Sequence, residues 1–124
     1  MRKITVDVLM EIHLIAIESG DKEEMKLRYA VRDQGTLEYI ADRANRINDE
    51  LDRAAFLLYS IANYHPFVDG NKRTAILSAD LVIENYIIDP SAPESDALIR
   101  NIAAGQLDEL QIKEWIKTKL VKYP

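Results

Sequence analysis

The feature that most constrains this chain is a polar interruption of ten residues, His65 to Thr74, between its two most apolar helical stretches. Upstream, Leu51, Ala54, Ala55, Leu58, Ile61 and Ala62 recur at the spacing that lines one face of a helix. Downstream, Ala75, Ile76, Ala79, Leu81, Val82 and Ile83 form a second apolar helix. Pro66 disfavours helical geometry at the residue before it, so the first helix is expected to end at Tyr64. Being the most apolar, that helix is expected to lie at the centre of the fold.

The remaining chain reads as further helices of the same kind. Thr5 is a plausible cap for a first helix with Val8, Leu9, Ile12, Ile15 and Ala16 on one face, running up to Ser19-Gly20. Leu37, Ile40, Ala41, Ala44 and Ile47 mark another, which stops near Asn48-Asp49. Glu94 to Ala104 and Asp108 to Leu120 complete the set, with Gly105 as a C-cap and Asp89-Pro90 to Pro93 as a turn. The charged stretch Asp21 to Gly35 is expected to be a short helix or an extended flap. With no long β-alternation and no repeat, the fold class is all-α, a bundle of about six helices forming a single domain over residues 1–124.

Composition narrows the function classes. The chain has no cysteine, which excludes a disulfide scaffold, a thiolate zinc site and a thiol nucleophile. Sixteen basic against 21 acidic residues give a net charge of −5, so no global positive field gathers nucleic acid. No apolar run is long enough to span a bilayer, and Met1-Arg2-Lys3 is not followed by a signal-like apolar core. A cytoplasmic protein without direct nucleic-acid or membrane partners is expected.

The interrupting loop reads His65-Pro66-Phe67-Val68-Asp69-Gly70-Asn71-Lys72-Arg73-Thr74. Lys72 and Arg73 fall at a helix start, where the positive end of the dipole disfavours cations unless something negative binds. The first N–H groups of that helix lack intrahelical partners, and Gly70 allows close backbone approach, so an anion cradle is expected there. Arg73 adds a planar fork suited to phosphate oxygens. Asp69 offers a hard oxygen ligand for magnesium, and His65 is the side chain able to take a proton from a hydroxyl near neutral pH. Base, metal ligand, anion nest and cations together describe phosphoryl or nucleotidyl transfer.

This string resembles the signature of the Fic/Doc family, H-P-F-x-D/E-G-N-G/K-R, matching at His65, Pro66, Phe67, Asp69, Gly70, Asn71, Lys72 and Arg73. Arg32-Asp33-Gln34-Gly35-Thr36-Leu37-Glu38 is similar to the R-D-x-G-x-L-E segment of Doc-type members, where it belongs to the flap over the site. Ala103-Ala104-Gly105-Gln106-Leu107 is similar to their C-terminal turn. The resemblance implies a minimal Doc (death-on-curing) domain with nothing appended, His65 as general base and Asp69 as the magnesium ligand. It also places Gly70, Asn71, Lys72 and Arg73 on the phosphates of ATP, with Lys72 and Arg73 catalytic, and Phe67 in the core.

Members that transfer AMP carry Gly at the position of Lys72 and a second Arg at the position of Ile76; both departures imply Doc-type transfer of the γ-phosphate. The family further implies a serine or threonine target, such as a threonine of elongation factor Tu, with arrest of translation, and a Phd-like antitoxin partner. AMP transfer and a non-catalytic anion-binding module remain the alternatives. The self-inhibitory S/T-x-x-x-E-G/N string is absent, since Glu84-Asn85 follows Asp80 where Ser or Thr belongs.

Other residues have plainer readings. His13, between Ile12 and Leu14, is expected to be structural, and Trp115 to be core or a partner-contact anchor. Asp21 to Glu24 reads as a solvated face, and Arg32 with Asp33 as a flap pair or a surface ion pair.

Overall fold

The computed structural model describes residues 2–18, 30–89 and 95–123. Its helices are α1 (Val6–Glu18), α2 (Gln34–Asn45), α3 (Glu50–Tyr64), α4 (Asn71–Val82), α5 (Ser95–Ala103) and α6 (Glu109–Lys119). Two short strands, β1 (Tyr86–Ile88) and β2 (Leu120–Lys122), pair antiparallel with Ile87 opposite Val121. The all-α bundle expected from periodicity is therefore present. The added ladder is only three residues long on each side, too short for alternation to register in a sequence.

Helix starts are set by side-chain oxygens that stand in for missing backbone partners. Thr5 Oγ1 accepts from the Val8 amide, Asp33 from Thr36 and Asp49 from Asp52. Asp108 and Gln111 form a reciprocal capping box at α6. At the far end of α5, Gly105 adopts φ +74°, with Gln106 N–H bonding Asn101 and Gly105 N–H bonding Ile102, which closes the helix as a Schellman turn.

Helix α3 is the centre of the bundle. It packs against α2, α4, α5 and α6, and Ala54 through Leu58, Ile61 and Ala62 are all buried. Helix α1 lies across α4 and α2. Its buried stripe is Leu9, Ile12, His13, Ala16 and Ile17, so the expected core role of Ile15 is corrected: that residue is 62% exposed. The 3.6-residue period carries position 15 off a face centred on positions 9, 12 and 16. The chain start is fastened by Asn45, whose carboxamide accepts from Ile4 N–H at 2.8 Å and donates to Ile4 C=O at 2.6 Å. Trp115 is partly buried against the core. Readings on residues 19–29 and 90–94, including the run Asp21 to Glu24 and the turn through Pro93, lie outside the described residues. Among the described residues no helix is long and apolar enough to cross a membrane.

Asp80, near the end of α4, accepts a hydrogen bond from the Ile88 amide at 2.8 Å and so fixes β1. Burial pushes its carboxyl above the ordinary carboxylate range, only partly offset by that bond. Ionised Asp80 thus weighs against the folded state, and this cost appears as pH rises from the unfolded value of 3.8 through the folded one. Asp80→Asn keeps the acceptor without the charge. Its stability relative to the unsubstituted protein should rise between pH 4 and pH 7 in urea titrations; a difference independent of pH would refute the assignment.

Candidate functional site

The loop after α3 is held from three sides. At the end of α3, His65 is the C-cap in the left-handed region (φ 51°, ψ 62°), and its N–H bonds Ile61 C=O at 3.2 Å. A non-glycine residue is costly there and needs its surroundings to hold it. Arg32 does so: its Nε donates to the His65 carbonyl at 2.6 Å and its Nη2 to the Tyr64 carbonyl. One guanidinium thereby satisfies two orphan carbonyls and places positive charge at the negative end of α3.

The backbone beside Arg32 completes this side. Arg32 and Asp33 N–H both bond Pro66 C=O, at 2.8 and 3.1 Å, and Val68 N–H bonds Ala30 C=O at 3.0 Å, around a bridge between Val31 and Phe67. Of the two readings of Arg32 and Asp33, these contacts agree with a pair that engages the loop rather than a surface ion pair: Arg32 caps α3 and Asp33 caps α2. The Thr36 bonds hold the Asp33 carboxyl below its usual range.

The second side is α1. Phe67 is 1% exposed, as expected of a core anchor, and its ring lies parallel to the His13 imidazole at 3.7 Å. His13 Nε2 is 2.7 Å from the Asp69 carbonyl oxygen. Because a carbonyl only accepts, the proton is assigned to Nε2, and burial holds the imidazole below its ordinary pKa, so the ring is neutral near pH 7. The structural reading of His13 holds, but its hold on the loop was missed. The available signal was its place on the apolar stripe of α1, where a polar ring needs a partner.

The third side is α4 itself. Asn71 Oδ1 accepts from Phe67 N–H at 3.0 Å and Asn71 Nδ2 donates to Phe67 C=O at 2.8 Å, closing the loop into a ring. Gly70 is the N-cap at φ 79°, and a Cβ there would lie 2.7 Å from Ile17 Cδ1. Only glycine satisfies both the dihedral and the approach to α1. The first turn of α4 holds Lys72 and Arg73, no acidic residue and no side-chain cap.

The structure therefore places His65, Asp69, Lys72 and Arg73 as exposed side chains around one loop and helix start, with Gly70 and Asn71 half-buried among them. Asp69 Oδ1 accepts from Gly70 N–H at 2.8 Å, and Arg73 Nη1 reaches Ala16 C=O at 3.4 Å. A helix start with no side-chain cap and two cations suits a polyanion. Among the described residues no group of three or more His, Asp or Glu could hold a metal. Asp69 offers one hard carboxylate to a divalent ion carried on a nucleotide. Beside the end of α3 runs a shallow groove lined by Asp33, Gly35, Thr36, Tyr39 and Tyr64, with the two tyrosine rings edge to face at 6.4 Å.

Comparison with known proteins adds to this geometry. The family model described as Fic/DOC family matches residues 3–83. Protein adenylyltransferase fic-1 of Caenorhabditis briggsae is 32% identical over 98 residues, covering 65% of this chain and 19% of that protein. The protein of the same description from Caenorhabditis elegans is 29% identical over the same shares. The chain spans less than a fifth of the length of these curated relatives.

Gly70→Ala should destabilise the fold by about 2 kcal/mol or more, combining a strained positive φ with overpacking against Ile17. Urea denaturation checks this; a loss within about 0.5 kcal/mol would show that the loop relaxes away from α1.

Proposed function

The chain belongs to the Fic/Doc family, and from that premise we propose that it transfers the γ-phosphate of ATP to a serine or threonine hydroxyl of a target protein. The observation that carries the reading is the junction of α3 and α4: an exposed His65 at a capped helix end, followed by a glycine-capped helix start bearing Lys72 and Arg73.

In this mechanism His65 takes the proton of the target hydroxyl as its oxygen attacks the γ-phosphorus, and the bond to the bridging oxygen of ADP breaks in line with the attack. Gly70 and the first amides of α4 cradle phosphate oxygens, while Lys72 and Arg73 neutralise charge that grows on them. Asp69 would hold a magnesium ion, which would supply neutralisation of phosphate charge. Asn71, with its carboxamide engaged by Phe67, acts by shaping the loop and setting where the cradle lies. The tyrosine-lined groove at the end of α3 is the surface proposed to receive a target segment.

Lys72 in place of Gly, and Ile76 in place of a second Arg, favour γ-phosphate over AMP transfer. Both fic-1 relatives are described as adenylyltransferases, which supports AMP transfer as the second reading. Glu84, the nearest candidate for a self-inhibitory glutamate, follows Asp80 where Ser or Thr belongs and lies beyond the end of α4 at Val82. The Doc resemblance further supports a toxin held by a Phd-like antitoxin, acting on elongation factor Tu in the cytoplasm.

Incubation with cell lysate and either γ- or α-labelled ATP tests the reaction. Label from the γ position alone is expected; label from the α position alone would replace phosphorylation with adenylylation. His65→Ala should reduce transfer by about 100-fold or more while ATP binding persists. Transfer unaffected by that change would remove His65 as base, and a wild-type protein that binds ATP without transferring either label would be an anion-binding module. Lys72→Gly should lower γ-transfer about tenfold, an effect on the order of 1.4 kcal/mol.

A further inference from the structure

We propose that His13 is the positioning residue for the Asp69 carboxylate, acting through the single peptide unit that joins Asp69 to Gly70. The inference rests on the reading of Asp69 as the ligand of a nucleotide-bound magnesium ion and adds a residue from a distant helix to that site.

Three contacts carry it. The His13 ring, 1% exposed, stacks on Phe67, donates from Nε2 to Asp69 C=O at 2.7 Å, and lies 3.4–3.5 Å from the point where a Gly70 side chain would begin. Stacking and volume alone would be served by an apolar ring; the hydrogen bond is what a histidine adds at this place on an apolar stripe.

A trans peptide is planar, with its C=O and N–H pointing in opposite directions. No cis peptide occurs among the described residues. Drawing the Asp69 carbonyl toward α1 therefore aims the Gly70 N–H away from α1. That N–H meets Asp69 Oδ1 at 2.8 Å. The chain of contacts runs from the imidazole through one rigid plane to one oxygen of the carboxylate, and couples its orientation to a side chain 56 residues earlier. Partners of this kind beyond a metal's direct ligands typically alter metal affinity by about 10–100-fold when removed.

Two substitutions separate the hydrogen bond from the packing. His13→Phe keeps a stacking ring and loses the donor; His13→Gln loses the ring and can return an N–H close to the position of Nε2. ATP binding is measured by calorimetry with and without magnesium, and the exchange rate of the Gly70 amide is measured by NMR without any nucleotide.

The expected result is that His13→Phe stays folded, binds metal-free ATP as the parent does, and loses about tenfold or more of the affinity gained from magnesium. Its Gly70 amide should exchange faster, and His13→Gln should restore both. An unchanged magnesium gain, an unchanged Gly70 amide, or equal loss of ATP binding with and without magnesium would each overturn the proposal. Should His13→Phe unfold, His13→Gln decides: the parent magnesium gain without the ring supports the hydrogen bond, and its loss refutes it. If the parent itself gains nothing from magnesium, the metal reading of Asp69 fails, and the Gly70 amide still reports whether His13 sets the peptide plane.

Discussion

The contact between α1 and the loop after α3 is the constraint on which the rest of the site depends. An imidazole stacked on a buried phenylalanine, a bond to Asp69 and a glycine where a Cβ would strike Ile17 seat the loop against α1. From that placement the rest follows in order. Phe67 fixes its own amide and carbonyl, Asn71 reads both of them, and Asn71 is the first residue of α4. A helix start on the central bundle is thus aligned with a helix that comes 56 residues earlier in the chain.

Helix α4 departs from the rule that the other capped starts follow. Asp33, Asp49 and Asp108 each place a carboxylate on an orphan amide at the positive end of a helix. At α4 the cap is Gly70 and the first turn carries two cations. Replacing an oxygen-bearing cap by glycine costs a few tenths of a kcal/mol, and a cation near a helix N-terminus costs roughly 0.3–1 kcal/mol. A domain of this size can tolerate such a loss, and local disagreement of this kind with helix chemistry is expected where a site is built.

The opposite end of the same loop is treated differently. There Arg32 covers the last carbonyls of α3 and supports the left-handed His65, so the segment leading into α2 becomes part of the floor of the site. The groove between Tyr39 and Tyr64 opens along this seam. His65 and the start of α4 are therefore held by different parts of the chain, α2's approach on one side and α1 on the other. Together these fix a geometry that a ten-residue loop would not keep alone.

Among the described residues the helices and most of their ends were legible in the sequence, because apolar spacing, Pro66, Gly105 and the capping acids act over a few residues. Which residue types gather on the loop was legible too, and Phe67 falls in the core as its apolar ring dictates. Periodicity could not place Ile15, because its stripe has two edges and only packing selects between them.

Nor could local reading assign Arg32, His13 and Asn71 their partners. Arg32 bonds carbonyls 32 and 33 residues away, His13 one 56 residues away, and Asn71 turns back onto its own loop. The sequence by itself determined which groups stand at the junction of two helices. Tertiary structure alone decided which of them are committed to backbone and which face outward, because hydrogen bonds between distant segments exist only once the helices have packed.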